Sequence, residues 1–459
     1  MRLFAVGQLG WSTLSGIITA WLVTFYLPTE RALQQEGAKY FLPTGHIFWV
    51  LTVLGLISFV CRIFDAVTDP WIASLSDRSR NPKGRRFPFM KRAAIPFAIM
   101  TVLVFMAPQE GQTSPLNIAW VLVTLVLFYL FMTMYCTPYN ALISEFGKTQ
   151  EDRMYISTAI SLTFFFGTMI AYTPFVFAGM LRGAVGYVWS YRICFIVLAV
   201  FALVCMFVPV FRLKETDFVE ARPSESDAFR SLIKTFRNKD FRIFSVSDIA
   251  YWIGLTLFQT GLPFFVTVSM GLDESWTMIF MGAMTVLSAC FYPFVNGMVR
   301  KHGKRSLVIA GFFGLALAYE ITALIGAVPA LTGMLPGILV VVISSFPMAL
   351  LGIIPQSIVA DVAEEDSIAT GENREGMFFA ARTFAMKLGQ SLAMLIFTSL
   401  AVIGAAQNSE SNELTASATG LRIVAVVAVV FCVLGAVILS RYDEKSVMNA
   451  IKAHEDGQK

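Results

Sequence analysis

The sequence predicts an all-α membrane protein of twelve transmembrane helices, and three observations carry that reading. Of 459 residues, 56% are hydrophobic and 14% charged, whereas a soluble domain carries about 25% charged residues. The mean hydropathy is +0.67. The apolar residues fall into twelve continuous runs, most of them near the ~20 residues that a helix needs to cross a bilayer. Alternating strands, which a transmembrane barrel requires, are absent from the pattern. Finally, Lys and Arg are concentrated in alternate loops, as they are in multi-pass proteins.

The elements follow in order, at approximate bounds. Span one, 4–28, follows Arg2 and lacks a small-residue cleavage pattern, so it reads as a retained helix rather than a signal peptide. Spans two and three are 45–73 and 93–108; the third is short and has room to begin near Phe87. Spans four, five and six are 116–143, 154–180 and 190–211. The longest polar stretch, Leu213 to Arg242, comes next. It contains a helical stripe of Phe229, Leu232, Ile233 and Phe236, which suits either a membrane-surface helix or a linker packed on the bundle. Spans seven to twelve are 243–269, 276–299, 306–327, 334–360, 377–404 and 419–440. The expected organisation is a six-helix bundle over 1–212, a cytoplasmic linker over 213–242, a second bundle over 243–440 and a cytoplasmic tail over 441–459.

Loop charge sets the orientation. The loop after span two carries Arg78, Arg80, Lys83, Arg85, Arg86, Lys91 and Arg92, and the loop after span eight carries Arg300, Lys301, Lys304 and Arg305. The opposite loops are nearly bare, which places both termini in the cytoplasm. Lys83-Gly84-Arg85-Arg86 and His302-Gly303-Lys304-Arg305 recur 219 residues apart at equivalent positions, as two parallel six-helix repeats would require.

The same composition excludes several functions. The net charge of +4 comes without a basic, aromatic-rich soluble face, so nucleic acid is not expected as a partner. The six cysteines all lie in apolar runs and read as buried free thiols. Three well-separated histidines argue against a histidine metal cluster. Phosphate-cradling loops and nucleophile elbows are missing, so neither an enzyme nor an ATP-driven pump is expected, and no cofactor beyond a coupling ion.

Charges within the spans need a reason, because each costs at least ~2.5–3.5 kcal/mol at mid-bilayer. Asp65 and Asp69 in span two are four residues apart and share one helix face, with Arg62 on a neighbouring part of it. Two such carboxylates repel unless a cation, a proton or Arg62 neutralises them. One reading is a site for Na⁺ or H⁺; the other is a helix–helix salt bridge to Arg62. Span eleven holds Arg382 and Lys387, which suit either partners for those acids or polar contacts between helices. Asp248, early in span seven, suits a hydrogen bond to a neighbouring helix. Tyr139 and Trp252 are among the aromatics able to stack on a sugar ring, with packing as the ordinary alternative.

The run from Arg62 to Phe89, RIFDAVTDPWIASLSDRSRNPKGRRFPF, resembles the signature of the glycoside–pentoside–hexuronide:cation symporters, a branch of the major facilitator superfamily. A second stretch is similar to the same family, from Val359-Ala360-Asp361 through Arg374-Glu375-Gly376 to Lys387-Leu388-Gly389-Gln390. The resemblance implies the twelve-helix major facilitator fold and cation-coupled symport of a sugar or glycoside by alternating access. It implies that Asp65 and Asp69 bind the cation with Thr68 and Thr133 as further ligands, an all-oxygen set suited to Na⁺. It also implies that Lys387 couples cation occupancy to closure, and that Arg62 lies near the sugar and shares in the coupling. Asp77, Arg78, Arg85, Arg86 and Asp361 are the expected cytoplasmic gate, with Arg85 and Arg86 in reach of acids ending spans four and ten.

The chain departs from the family on the sugar side. Ser12 stands near the family's span-one aspartate, Cys136 and Asn140 replace a span-four aspartate and tryptophan, and a span-five arginine is missing near Ser161. The expected substrate contacts are therefore Arg62, Cys136, Tyr139, Asn140, Trp252 and Arg382. A lysolipid or other amphiphile is the alternative cargo, and a non-transporting membrane sensor is the reading from another class. The expected setting is the cytoplasmic (inner) membrane, as a monomer among lipids.

Overall fold

The computed structural model describes residues 2–48, 51–77, 79, 84–146, 150–213, 234–371, 375–405 and 413–457. They form two compact units. Unit 1 is Met1–Glu225 with Ala405–Ala416, and unit 2 is Ser226–Gly404 with Ser417–Lys459. The short segment 405–416 lies between two helices of unit 2 in sequence, yet it belongs to unit 1. There the Thr44 amide and hydroxyl donate to Glu413 Oε2 at 2.9 and 3.0 Å, and Thr44 Oγ1 accepts from the Leu414 amide at 2.8 Å.

Unit 1 contains α1 (Arg2–Tyr26), α2 (Glu30–Gln35), β1 (His46–Phe48), β2 (Leu51–Thr52), α3 (Val53–Asp77), α4 (Phe87–Leu103), α5 (Pro115–Phe146), α6 (Gln150–Ala171), α7 (Pro174–Val185) and α8 (Tyr187–Arg212). Two expected spans change form. The run 45–73 is helical only from Val53, because β1 and β2 pair antiparallel and Thr52 Oγ1 accepts the Gly55 amide as a cap. The run 154–180 breaks into α6 and α7 at Pro174, which has no N–H to continue the ladder.

Packing in unit 1 rests on close backbone approach and stacked aromatics. A side chain at Gly10 would strike the Ala202 carbonyl of α8, and one at Gly167 would strike Ser12 of α1. Those two glycines let α6 and α8 close on either side of α1. Trp21 packs on Phe175 at 3.8 Å and donates its indole N–H to the Ala171 carbonyl at 2.8 Å.

Unit 2 contains α9 (Lys239–Phe264), which runs on into a π-helical turn (Phe265–Ser269), then α10 (Ser275–His302), α11 (Lys304–Leu324), α12 (Leu335–Thr370), α13 (Glu375–Leu400), α14 (Ala418–Leu439) and α15 (Glu444–Gly457). The expected tail thus folds as α15. Its first residue, Glu444, accepts the Lys304 and Arg305 amides at 2.7 and 2.9 Å. A carboxylate there answers the free N–H groups and the positive end of the α11 dipole. The chain reaches that helix start through Gly303, whose φ of +80° suits glycine, and the repeat-related Gly84 also has positive φ (+112°).

Ten of the described helical segments are long and apolar enough to cross a membrane. Helices α3 and α4 bring the set to the twelve expected. The first is less apolar because it carries Arg62, Asp65 and Asp69, and the second has 17 residues. Cysteine burial is less uniform than expected: Cys290 is exposed and Cys136 half-buried. A helix on the outside of a membrane bundle can turn apolar side chains outward, so an apolar run does not by itself imply burial.

Candidate cation and substrate site

The acids of α3 meet the threonines of α5. Thr133 Oγ1 lies 2.8 Å from Asp65 Oδ1 and 3.0 Å from Asp69 Oδ1, and Thr137 Oγ1 is 3.4 Å from Asp69 Oδ1. Both pairs, 65 with 69 and 133 with 137, have the four-residue spacing that aligns side chains on a helix face. Asp65 and Thr133 are 0% and 1% exposed.

The stoichiometry of this contact is its main feature. A threonine hydroxyl has one proton and two lone pairs. It can donate to one carboxylate oxygen at a time, yet it stands within hydrogen-bonding distance of two. The second contact sets oxygen lone pairs against a carboxylate, which is favourable only if a proton or a cation lies between them. Asp65 has a further counter-charge in Arg62, whose Nη1 is 3.6 Å from Oδ2 and whose guanidinium lies 4.7 Å from the Tyr129 ring centre. The Arg62 ion pair of the second reading thus forms, and both carboxylates also face the one Thr133 hydroxyl.

Helix-breaking prolines sit beside the cluster. Pro70 follows Asp69 within α3, and Pro138 follows Thr137 within α5. Neither can donate to the carbonyl four residues earlier, so Ala66 and Met134 lose that partner. Thr68 is placed differently from Thr133: its hydroxyl donates to the Asp65 carbonyl at 3.0 Å, leaving only lone pairs for a cation. Thr137 is the member the sequence reading missed. Its signal was present as the i+4 partner of Thr133.

The expected substrate residues divide between the units. Cys136 and Asn140 share the α5 face with Thr133; the first is half-buried and the second exposed. Tyr139 does not belong with them. It is 0% exposed, stacks on Phe4 at 4.2 Å, and donates its hydroxyl to the Phe4 carbonyl at 2.7 Å, so it is a packing residue. In unit 2, Arg382 binds Asp248 of the same unit through two bonds of 3.0 and 3.2 Å. Trp252 lies one turn after Asp248 on α9, and its Cβ borders Gly389 of α13. Lys387 is buried in unit 2 at 6% exposure.

Of the expected gate residues, Arg78 and the side chain of Asp77 lie outside the described residues. Arg85 and Arg86 are each 7% exposed, immediately before α4. Asp361 pairs with Lys304 of its own unit at 2.5 Å. That cation comes from the start of α11, placed by the Gly303 turn. In the linker, Phe229, Leu232 and Ile233 lie outside the described residues, while Phe236 packs against Phe241.

A family model described as MFS/sugar transport protein matches residues 3–444. The chain is 27% identical to an uncharacterized symporter, YjmB, of Bacillus subtilis (strain 168), over 81% of this chain and 79% of that one. It is 25% identical to a putative glycoside/cation symporter, YagG, of Escherichia coli (strain K12), over 84% and 81% of the two chains. It is 22% identical to an isoprimeverose transporter of Lactiplantibacillus pentosus, over 74% and 70%. Among solved structures, a D-xylose-proton symporter superposes with a TM-score of 0.67 at 15% identity, covering 96% of each chain.

Proposed function

The chain belongs to the MFS/sugar transport protein family and has the helical major facilitator fold, and from that premise we propose that it is a Na⁺-coupled symporter of a neutral glycoside. As a multi-pass membrane transporter it is expected to work by alternating access, with both termini in the cytoplasm. The observation that carries the reading is the single Thr133 hydroxyl held against Asp65 and Asp69 at 2.8 and 3.0 Å. Carboxylate and hydroxyl oxygens are hard ligands, which suits Na⁺. A proton alone would need one carboxylate and no hydroxyl between the two. The names of the relatives, a glycoside/cation symporter and an isoprimeverose transporter, support a glycoside as cargo.

In this reading the cation neutralises what Arg62 leaves uncompensated in the acid pair. Each ligand can shift the conformational equilibrium only by its differential affinity for the two states. Cation and glycoside together would therefore stabilise the form that carries both across. Arg85, Arg86, Asp77 and Arg78 remain the proposed cytoplasmic gate, and Lys387 the proposed coupling residue. The test is uptake of isoprimeverose into proteoliposomes under a Na⁺ gradient without a proton gradient. Accumulation under that gradient supports the reading. Uptake driven by a proton gradient and indifferent to Na⁺ rejects the ion, and no uptake of any neutral glycoside rejects the cargo.

A further inference from the structure

Helix α9 carries a second polar feature, entirely within unit 2. Ser245, Asp248, Trp252, Thr256 and Gln259 follow one another at intervals of three, four, four and three residues. That spacing keeps them on one face over about 16 Å from Ser245 to Thr256, at 1.5 Å per residue. Other sides of the helix are occupied by neighbours. Ser247 donates to the Gly435 carbonyl of α14 and Tyr319 of α11 donates to the Gly254 carbonyl, while Gly389 of α13 borders both Ile249 and the Cβ of Trp252, so α13 flanks the polar face itself.

Two hydroxyls on this face behave unlike most others in the protein. Serine and threonine in an apolar helix ordinarily donate to the carbonyl four residues back. Thr13, Thr101, Thr322 and Ser344 do so, to Leu9, Phe97, Ala318 and Val340. Ser245 and Thr256 are 2% and 4% exposed, and neither hydroxyl has a hydrogen-bond partner. A buried hydroxyl left unpaired is unfavourable, so a partner outside the protein is implied. Between them lies the Asp248–Arg382 pair, whose two bonds cancel the charge of both members. Trp252 adds a flat aromatic surface.

Resting on the symporter reading above, we propose that this α9 face is a glycoside-binding subsite. Ser245 and Thr256 hydrogen-bond sugar hydroxyls, and Trp252 packs against the apolar face of a ring. The face carries hydroxyl donors and acceptors and no net charge. It therefore selects a neutral polyhydroxylated solute over an anionic sugar such as a hexuronide.

The test measures ligand-dependent thermal stabilisation of the purified full-length protein. The probes are isoprimeverose, methyl glucuronide and Na⁺ alone. In Ser245→Ala and in Thr256→Val, half-saturation by isoprimeverose should weaken about three- to tenfold, the range for one lost hydrogen bond. Thr256→Ser should stay near wild type. Stabilisation by Na⁺ without sugar, a property of the unit 1 acids, should be unchanged and also reports that each variant is folded. Unchanged isoprimeverose affinity in both Ser245→Ala and Thr256→Val overturns the subsite and assigns those hydroxyls to water. Tighter binding of methyl glucuronide than of isoprimeverose overturns the neutral class. If no glycoside stabilises the wild type, the symporter reading itself fails and the subsite fails with it.

Discussion

Replacing Thr133 by valine is the sharpest perturbation of the cation site. Valine keeps the branched shape and removes only the oxygen, so packing between α3 and α5 is nearly preserved. That oxygen is 2.8 Å from Asp65 Oδ1 and 3.0 Å from Asp69 Oδ1. In the proposed site that oxygen is also a ligand of the cation, so one charge-assisted contact to the ion is lost, scaled at about 1.5–3 kcal/mol. At 1.4 kcal/mol per decade, Na⁺ binding should weaken about ten- to a hundredfold. Thr137→Val serves as an internal control. Its 3.4 Å contact is long for a hydroxyl–carboxylate bond, and it should shift Na⁺ affinity by less than about threefold. The assay is a Na⁺ titration of initial isoprimeverose uptake in proteoliposomes, alongside Na⁺-dependent thermal stabilisation of the same variants. Equal Na⁺ half-saturation in wild type and Thr133→Val, by both measures, would refute the bridging-hydroxyl argument. Equal effects at Thr133 and Thr137 would show that the distances do not rank the ligands.

Further outcomes follow from the other charged contacts. Asp65→Asn or Asp69→Asn should abolish concentrative uptake while membrane-fraction yield stays near wild type, since one of the two charges that recruit the cation is gone; wild-type accumulation in either variant would sink the site. Arg382→Gln leaves Asp248 buried and unpaired, which costs about 3–5 kcal/mol; the thermal midpoint in detergent should drop, and adding Asp248→Asn should restore most of it. Glu444→Ala removes the carboxylate that caps α11 at 2.7 and 2.9 Å. By analogy with helix N-caps the loss should be about 0.5–2 kcal/mol, seen as lowered thermal stability with Na⁺ affinity unchanged.

Much of the architecture was legible along the chain because a bilayer imposes local rules. Span length, loop charge and the price of a buried charge each depend on neighbouring residues, so twelve helices and the Asp65–Asp69 pair could be read directly. Exceptions arose where a local element overrode hydropathy: the pairing of His46–Phe48 with Leu51–Thr52, and the break at Pro174. The identity of each charge's partner was not local. Thr133 reaches Asp65 across 68 residues, Arg382 reaches Asp248 across 134, and the Lys304 ammonium reaches Asp361 across 57. Periodicity says which helix face a side chain occupies, but not which helix lies opposite it. For that reason the bond from Lys304 to Asp361 could not be read along the chain, and Tyr139, expected at the substrate, donates instead to the Phe4 carbonyl. The sequence by itself determined which residues carry charge into the membrane; tertiary packing decided which of those charges are cancelled and which oxygens face one another, because cancellation depends on distance in space rather than along the chain.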